Sequence, residues 1–391
     1  MKYLSGSTNG EWIPLEPNEE DEDEEDVSVD YESNRRKVEK ALTDLLTAER
    51  LVVLTGLGTS LCVTDEDGDR LAPTMDDLWN ATKDATGDAF EQTIEAVGYN
   101  SERNDIELLL SRCQMYERFH EDTDVADFVL AADKRIAEEC RFVDDTVDLR
   151  THEDFLRKVA RRSPRLPRMQ LFTTNYDLCY EVAASRSRFI VIDGFSHTLP
   201  QEFDGTYFSY DIVRRDADEA EPLDFISNVF HLHKLHGSID WEQSGGRIRR
   251  VQQTDQPVII YPRESKFELS YNQPFLEQMS RLQAALRGKS VALLVIGFGF
   301  NDLHISQPIL TALRSNVHLR MLAVSPSLED TAVDTKDSAV KEIARFAMSG
   351  DQRIGMLTAT FEELVRLLPQ LVARTEEESH FDRISDAGET P

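Results

Sequence analysis

Asn175 and Asp177 stand two residues apart at the end of an apolar run, Leu171-Phe-Thr-Thr-Asn-Tyr-Asp177, and a helical pattern begins at Leu178. If the run is a strand of a parallel sheet, both polar side chains lie at its carboxyl edge, where ligands of such sheets bind. An Asn/Asp pair in that position can equally be a plain helix cap. His236 has a similar setting in Lys234-Leu-His-Gly-Ser-Ile239, directly after another apolar run. An imidazole accepts a proton near neutral pH with little tuning. The glycine and serine behind it let ring and backbone both approach a ligand. His231 and His233 alternate with Phe230 and Leu232 and belong to a sheet face rather than to a site.

Two glycine turns accompany these residues. Leu51-Val-Val-Leu-Thr-Gly-Leu-Gly-Thr-Ser60 is an apolar strand that breaks into Gly56 and Gly58, followed by Thr59 and Ser60. Such a turn exposes backbone N–H groups with no Cβ in the way, as a pyrophosphate requires. The third glycine of the usual dinucleotide fingerprint is absent, since position 61 is Leu61. On its own the stretch is either a phosphate cradle or an ordinary strand-to-helix turn. Leu294-Val-Ile-Gly-Phe-Gly-Phe-Asn-Asp302 repeats the pattern with Gly297 and Gly299, and Asp302 opens the next helix.

The elements that must position these residues follow from hydrophobic periodicity. Strands are expected at 51–55, 170–174, 189–193, 229–235, 258–261, 291–296 and 319–324, with a hairpin at 203–213. Helices are expected at 33–50, 270–287, 303–315, 340–348 and 361–372. Strands alternating with helices give an α/β fold with a doubly wound, Rossmann-like parallel sheet. Residues 75–162 are helical throughout and form an insertion after the first strand and its turn. The loop at 64–70 is a solvated turn, since it lacks the alternation and the glutamate of a calcium loop. The domain reading is therefore a sheet domain over 33–74 and 163–375, the insertion over 75–162, and a polar tail over 376–391. Residues 1–32 are expected to be a disordered acidic tail, because nine of the eleven residues from Glu16 to Asp26 are acidic.

Composition narrows the classes. Asp and Glu outnumber Lys and Arg 73 to 43, for a formal charge of −30. Arg outnumbers Lys 32 to 11. An acidic, lysine-poor surface suits high salt, where self-repulsion is screened, and also occurs in ordinary acidic cytosolic proteins. Such a surface does not bind a nucleic-acid backbone directly. No apolar run approaches the roughly 18 residues of a membrane span, and residues 1–9 do not resemble a secretory signal. Cys62, Cys113, Cys140 and Cys179 are far apart, against a disulfide framework or zinc ribbon and for a reduced cytoplasm.

Together the four stretches resemble the sirtuin superfamily, specifically the sirtuin-like NAD-cleaving domains of prokaryotic antiviral defence systems. Gly56-Leu-Gly-Thr-Ser60 is similar to the first phosphate loop of that family, with Leu57 where alanine is usual. Pro73 and Met75-Asp-Asp-Leu-Trp79 resemble its mobile cofactor loop. Thr173-Thr-Asn-Tyr-Asp177 and Leu235-His-Gly-Ser238 resemble the two catalytic stretches, and Ile296-Gly-Phe-Gly-Phe-Asn-Asp-Leu-His-Ile305 the later nucleotide-binding turn. The resemblance implies Asn175 and His236 as catalytic residues. It implies Gly56, Gly58, Ser60, Thr174, Asp177, Gly297, Gly299, Asp302 and Ser325 as residues that bind the NAD substrate. The zinc module of the deacetylating members is missing, since only Cys179 lies between Asp177 and His236. No zinc or other metal is therefore expected, and water replaces acyl-lysine as the nucleophile.

What the resemblance implies is an NAD⁺ glycohydrolase that makes nicotinamide and ADP-ribose and depletes NAD in antiphage defence. The alternatives are a non-catalytic NAD or ADP-ribose sensor and a protein ADP-ribosyltransferase. Unrestrained NAD loss would kill the host, so the chain is expected to be a homo-oligomer with little activity alone. Its insertion would contribute to subunit contacts, and a separate partner such as a HerA-type ATPase would control it.

Overall fold

The computed structural model describes residues 1–17, 29–100, 104–214, 224–260, 273–333 and 338–372. The expected polar tail at 376–391 and the acidic run at 18–28 lie outside these residues. In chain order the strands are β1 (Lys2–Ser5), β2 (Ile13–Pro14), β3 (Arg50–Thr55), β4 (Gln170–Thr173), β5 (Ile190–Ile192), β6 (Val213–Arg214), β7 (Asp224–Phe225), β8 (Val229–Lys234), β9 (Gly237–Ser244), β10 (Arg247–Arg250), β11 (Pro257–Ile259), β12 (Val291–Ile296), β13 (Leu319–Val324) and β14 (Ile354–Leu357). Nine of them make one sheet in the order β2-β1-β14-β13-β12-β3-β4-β8-β5.

From β14 to β5 every neighbouring pair is parallel. A strand covered on both faces reads as a continuous apolar run, and β12 is buried at all its positions. Alternate residues of β3 divide between two cores. Leu51 and Val53 pack on one face of the sheet, and Val52 and Leu54 on the other. Burying such a side chain contributes about 1.5–3 kcal/mol relative to leaving it exposed. The first face is covered by α1 (Tyr31–Leu46) and by helix Phe361–Leu367; the second by helices Phe275–Leu286, Leu303–Ser315 and Ala339–Met348. The chain is an α/β, Rossmann-like protein.

The chain leaves β3 toward β4, β8 and β5, and later returns to the other side of β3 with β12, β13 and β14. The reversal lies between β3 and β12. Open α/β sheets bind ligands at such a switch point, outside the carboxyl ends of the strands.

The insertion contains α2 (Met75–Thr86), α3 (Asp88–Ala96), α4 (Ile106–Glu117) and α5 (Thr123–Glu139). These helices share a core of their own around Trp79, Phe90, Ile106, Leu109, Leu110, Cys113 and Phe128. The next helix, α6 (Arg150–Val159), instead places Phe155, Leu156 and Val159 in the core of the sheet domain, where they meet Tyr180 of α7 (Cys179–Arg186). The separately packed unit thus ends with α5, well before residue 162.

Three expectations need correction. The first residues are not a disordered tail, because β1 pairs antiparallel with β14 and β2 pairs with β1. Tyr3 and Leu4 point to opposite faces and enter the two cores, and that burial outweighs the acidity of the run that follows. The strand expected at 258–261 is β11, which joins β9 and β10 in a separate antiparallel sheet; Tyr261 lies outside the described residues. The hairpin expected at 203–213 is a 3-10 turn, Gly205–Ser209, followed by β6. No helix among the described residues is long and apolar enough to cross a membrane.

Candidate functional site

The turns after β3 and β12 meet at the switch point. The N–H of Gly56 donates to Ile296 O at 3.0 Å, that of Gly58 to Gly297 O at 3.0 Å, and that of Gly297 to Val324 O at 2.9 Å. The turn residues Thr59 and Ser60 bond back to Gly56 O and Leu57 O. This corrects the expectation that Gly56 and Gly58 offer free N–H groups to a pyrophosphate, since those donors already hold the neighbouring turn. Glycine is required at 58 because a Cβ there would lie 2.5 Å from the Gly297 Cα. Gly299 is the open position of the pair, where a Cβ would approach only the Asn301 side chain, at 3.3 Å.

A cavity of about 260 Å³ opens at this point. Its sheet-side wall includes Gly56, Thr174, Asn175, Asp177, His236, Gly297, Gly299 and Asp302. The facing wall comes from Pro73, Thr74, Met75 and Leu78, with Glu107 of α4 and Cys140 and Phe142 beyond α5. The segment expected to be a mobile cofactor loop is therefore the capped start of α2. Thr74 accepts the Asp77 N–H, and the Asp77 carboxylate accepts from Thr74. The insertion closes one side of the cleft.

Asn175 follows β4 and is 8% exposed. Its Nδ2 donates to Gly56 O at 3.1 Å, Thr59 Oγ1 at 3.3 Å and Ser60 Oγ at 2.8 Å. The amide nitrogen is thus committed to the first glycine turn, and the carboxamide oxygen is the group left to accept from a ligand hydroxyl or water. Asp177 accepts Ser60 Oγ–H at 2.7 Å through Oδ2 and the Cys179 N–H at 3.0 Å through Oδ1. Ser60 joins the two, but it is 1% exposed and stands behind the cavity rather than in its wall. It braces the cavity wall without forming part of it, as does Gly58. Ser325 directly follows β13, its hydroxyl lies 3.5 Å from Ser327 Oγ, and it is not part of the cavity wall.

His236 leaves β8 at the register that pairs Thr173 with Lys234. Its Nε2 lies 2.9 Å from Nε2 of His304, a residue of helix Leu303–Ser315. Together with Asp302 these rings place one ligand atom each within 4.8 Å of one another, a two-histidine, one-carboxylate set that could hold a divalent cation. The expectation of no metal site thus meets one group among the described residues that could form one. His231 and His233 lie away from the site, as expected. His233 stacks on Phe172 and Phe208 with centroids 4.3 and 4.2 Å away, and burial holds its pKa well below the usual imidazole value.

Sequence reasoning assigned no role to Lys234, although it begins the His236 motif. Its side chain is 2% exposed, and its Nζ donates to the carbonyls of Tyr176 and Asp177 and pairs with Glu181 at 3.2 Å. It holds the loop that carries Asn175 and Asp177. A lysine closing a strand that carries Val229, Phe230 and Leu232 was the available signal, since a buried ammonium must find acceptors. Burial raises the Glu181 carboxyl above its ordinary pKa, against the pull of Lys234. Cys140 lines the cavity, but burial pushes its thiol up to about 12, so it is no thiolate nucleophile near neutral pH. All four cysteines are free.

Residues 170–343 match the family model of the SIR2-like domain. The match takes in Asn175, Asp177, Lys234, His236, both glycines of the second turn, Asp302 and His304; β3 and the insertion lie outside it. No curated protein matches the chain. Solved structures that match include cytosolic 5'-nucleotidase IIIB bound to cytidine, at 11% identity over 88% of this chain and 92% of that one. Its TM-score of 0.30 is too low to bear on fold or activity. Through residues 170–343 this chain is similar to the SIR2-like domain of the sirtuin-like superfamily, and Thr174, Asn175, Asp177, His236, Gly297, Gly299 and Asp302 of the cavity wall lie within that match.

Proposed function

We propose that this chain is an NAD⁺ glycohydrolase that releases nicotinamide and ADP-ribose. One observation carries the reading. Asn175, His236 and both glycine turns converge on a single cavity at the switch point of the sheet, and the SIR2-like match covers all of them but the first turn.

The residues fit NAD as substrate. The second turn, open at Gly299, receives the phosphate-bearing part, and the Asn175 carboxamide oxygen accepts from a ribose hydroxyl or the attacking water. Nicotinamide leaves as a neutral group, so the leaving group needs no acid. The chain's contribution is to hold the ribose in a water-poor pocket with a nucleophile beneath C1. The wall formed by Pro73, Met75 and Leu78 supplies the exclusion of water. His236 accepts the proton from a ribose hydroxyl or from the water, an assistance worth about 10²–10⁴-fold. Asp177 and Asp302 orient; Ser60 and Lys234 keep the Asn175 loop in place.

In this reading the chain is an effector of antiphage defence, silent at rest and switched on by assembly or by a partner such as a HerA-type ATPase. The insertion is the element that can transmit such control, because it forms one wall of the cleft. A bistable contact of a few kcal/mol suffices for a switch.

Purified chain is incubated with NAD⁺, alone and with candidate activating partners, and free nicotinamide is followed with and without a protein acceptor. The reading expects equal amounts of nicotinamide and ADP-ribose and no modified protein. Modified acceptor would make the chain a transferase, and NAD binding without nicotinamide release a sensor. Light scattering on the same samples expects an oligomer with low basal turnover; a fully active monomer would remove assembly and partner as controls.

A further inference from the structure

His236 and His304 face one another with ring centroids 5.0 Å apart and planes inclined by 31°. Both are buried, at 3% and 5% exposure, and their Nε2 atoms approach to 2.9 Å. Two imidazole nitrogens are comfortable at that distance when one carries the hydrogen and the other offers a lone pair. Two lone pairs or two N–H groups would repel.

The surroundings decide which ring donates. His304 is the second residue of its helix, and the first turn of a helix disfavours an added positive charge. His236 stands in the cavity wall and is the ring that the proposed reaction protonates. Once protonated, its Nε2–H needs an acceptor, and the Nε2 of a neutral His304 lies within hydrogen-bond reach. A carboxylate oxygen of Asp302 is within 4.8 Å of one nitrogen of each ring and offsets the charge. This is the logic of a catalytic base oriented by a third group, with an imidazole in place of the usual carboxylate.

Building on the reading of His236 as the base, we propose that His304 is its positioning residue. The neutral Nε2 of His304 accepts the Nε2–H of His236. That fixes the His236 tautomer and leaves Nδ1 as the nitrogen that takes the proton. In the step itself the oxygen–hydrogen bond of the ribose hydroxyl or water breaks and its electron pair stays on oxygen. The proton bonds to Nδ1, giving an imidazolium whose other N–H remains bonded to His304.

The test uses the full chain with ¹⁵N-labelled histidine, only nine residues and so resolvable by NMR. His236 is expected as the Nε2–H tautomer with a coupling across the hydrogen bond to His304. That coupling should vanish in His304→Ala. In the nicotinamide assay His304→Ala should lower kcat by about 10–100-fold with KM nearly unchanged, the scale found when an orienting partner is lost. His304→Gln, whose carboxamide oxygen can accept the same N–H, should stay within a few-fold of the parent. Wild-type kcat in His304→Ala, a change in KM alone, or the opposite His236 tautomer would overturn the inference and leave the NAD-cleaving reading standing. Activity lost to a chelator and restored by zinc or manganese would overturn it too, by placing a cation rather than a proton between the rings. Absence of turnover in every preparation would end the NAD-cleaving reading and this role with it.

Discussion

Gly58 and Gly297 touch backbone to backbone: the Gly58 N–H donates to the Gly297 carbonyl at 3.0 Å, and a Cβ on either residue would stand 2.5 Å from the other's Cα. The two turns that floor the cleft are therefore one rigid unit joining β3 to β12, and glycine at 58 serves close approach rather than ligand contact. Gly58→Ala should lower stability by about 1–3 kcal/mol, as overpacking does, and raise the KM for NAD⁺. Gly299→Ala meets only a side chain; its melting temperature should stay near the parent while turnover falls. Thermal unfolding beside nicotinamide release separates the two effects, and equal melting curves for parent and Gly58→Ala would refute the account of position 58.

Asn175→Ala removes three hydrogen bonds at once. Nicotinamide release should fall by at least about 100-fold. The melting temperature should fall as well, by the equivalent of about 1–3 kcal/mol, because acceptors on the first glycine turn lose their donor. His236→Ala should lose comparable activity with a smaller loss of stability. Wild-type turnover in either variant would show that the chemistry lies elsewhere.

His152 supplies a pH dependence of stability. It is fully buried between Tyr180 and Phe361, with ring centroids 5.2 and 5.1 Å away. Burial lowers its pKa from 6.5 to about 4. Between those values the unfolded chain binds the proton and the folded chain does not. Stability is thus complete above pH 6.5, falls as the pH drops toward 4, and loses about 3 kcal/mol from this residue. Burial depresses His231 to about 4 in the same way. Melting temperatures measured from pH 7 to pH 4 should fall steeply, and His152→Phe should flatten part of the slope. An unchanged slope in that variant would assign the acid sensitivity to other groups.

The charge of −30 predicts a melting temperature that rises between dilute buffer and molar KCl. Because β1 and β2 belong to the sheet, the informative deletion is residues 18–28 alone. It removes eight acids and leaves a formal charge of −22, so most of the salt response should survive. A melting curve indifferent to KCl would exclude adaptation to high salt.

The parallel sheet was legible because β3, β4, β12 and β13 are largely buried apolar runs, while β8 showed as a strand through Phe230 and Leu232 alternating with His231 and His233. β14 escaped notice: Ile354-Gly-Met-Leu357 is four residues long and contains a glycine. β1 was hidden by the acidic run that follows it. β9 and β10 carried a usable signal in Ser244-Gly-Gly-Arg247, where two glycines with positive φ join paired strands. Asn175, Asp177 and His236 stood out in the sequence because each closely follows an apolar run, and all three line the cavity. Ser60 and Ser325 lie outside the cavity wall for a physical reason: proximity in sequence to a strand end does not say whether a side chain lines the cleft or lies behind it. The pairing of His236 with His304 was invisible, since the rings are 68 positions apart and meet only through tertiary packing.

The contact between Gly58 and Gly297 also bears on the making of the protein. The two residues are 239 positions apart in the chain, and pairings of such separation close late because loop closure must come first. A nascent chain that has released β3, the insertion and the stretches that carry Asn175 and His236 still lacks the turn after β12. The cleft is complete only when the chain has been synthesised through Gly297 and has returned beside β3. An unfinished or truncated copy therefore carries Asn175 and His236 without the turn that completes the wall of their cavity.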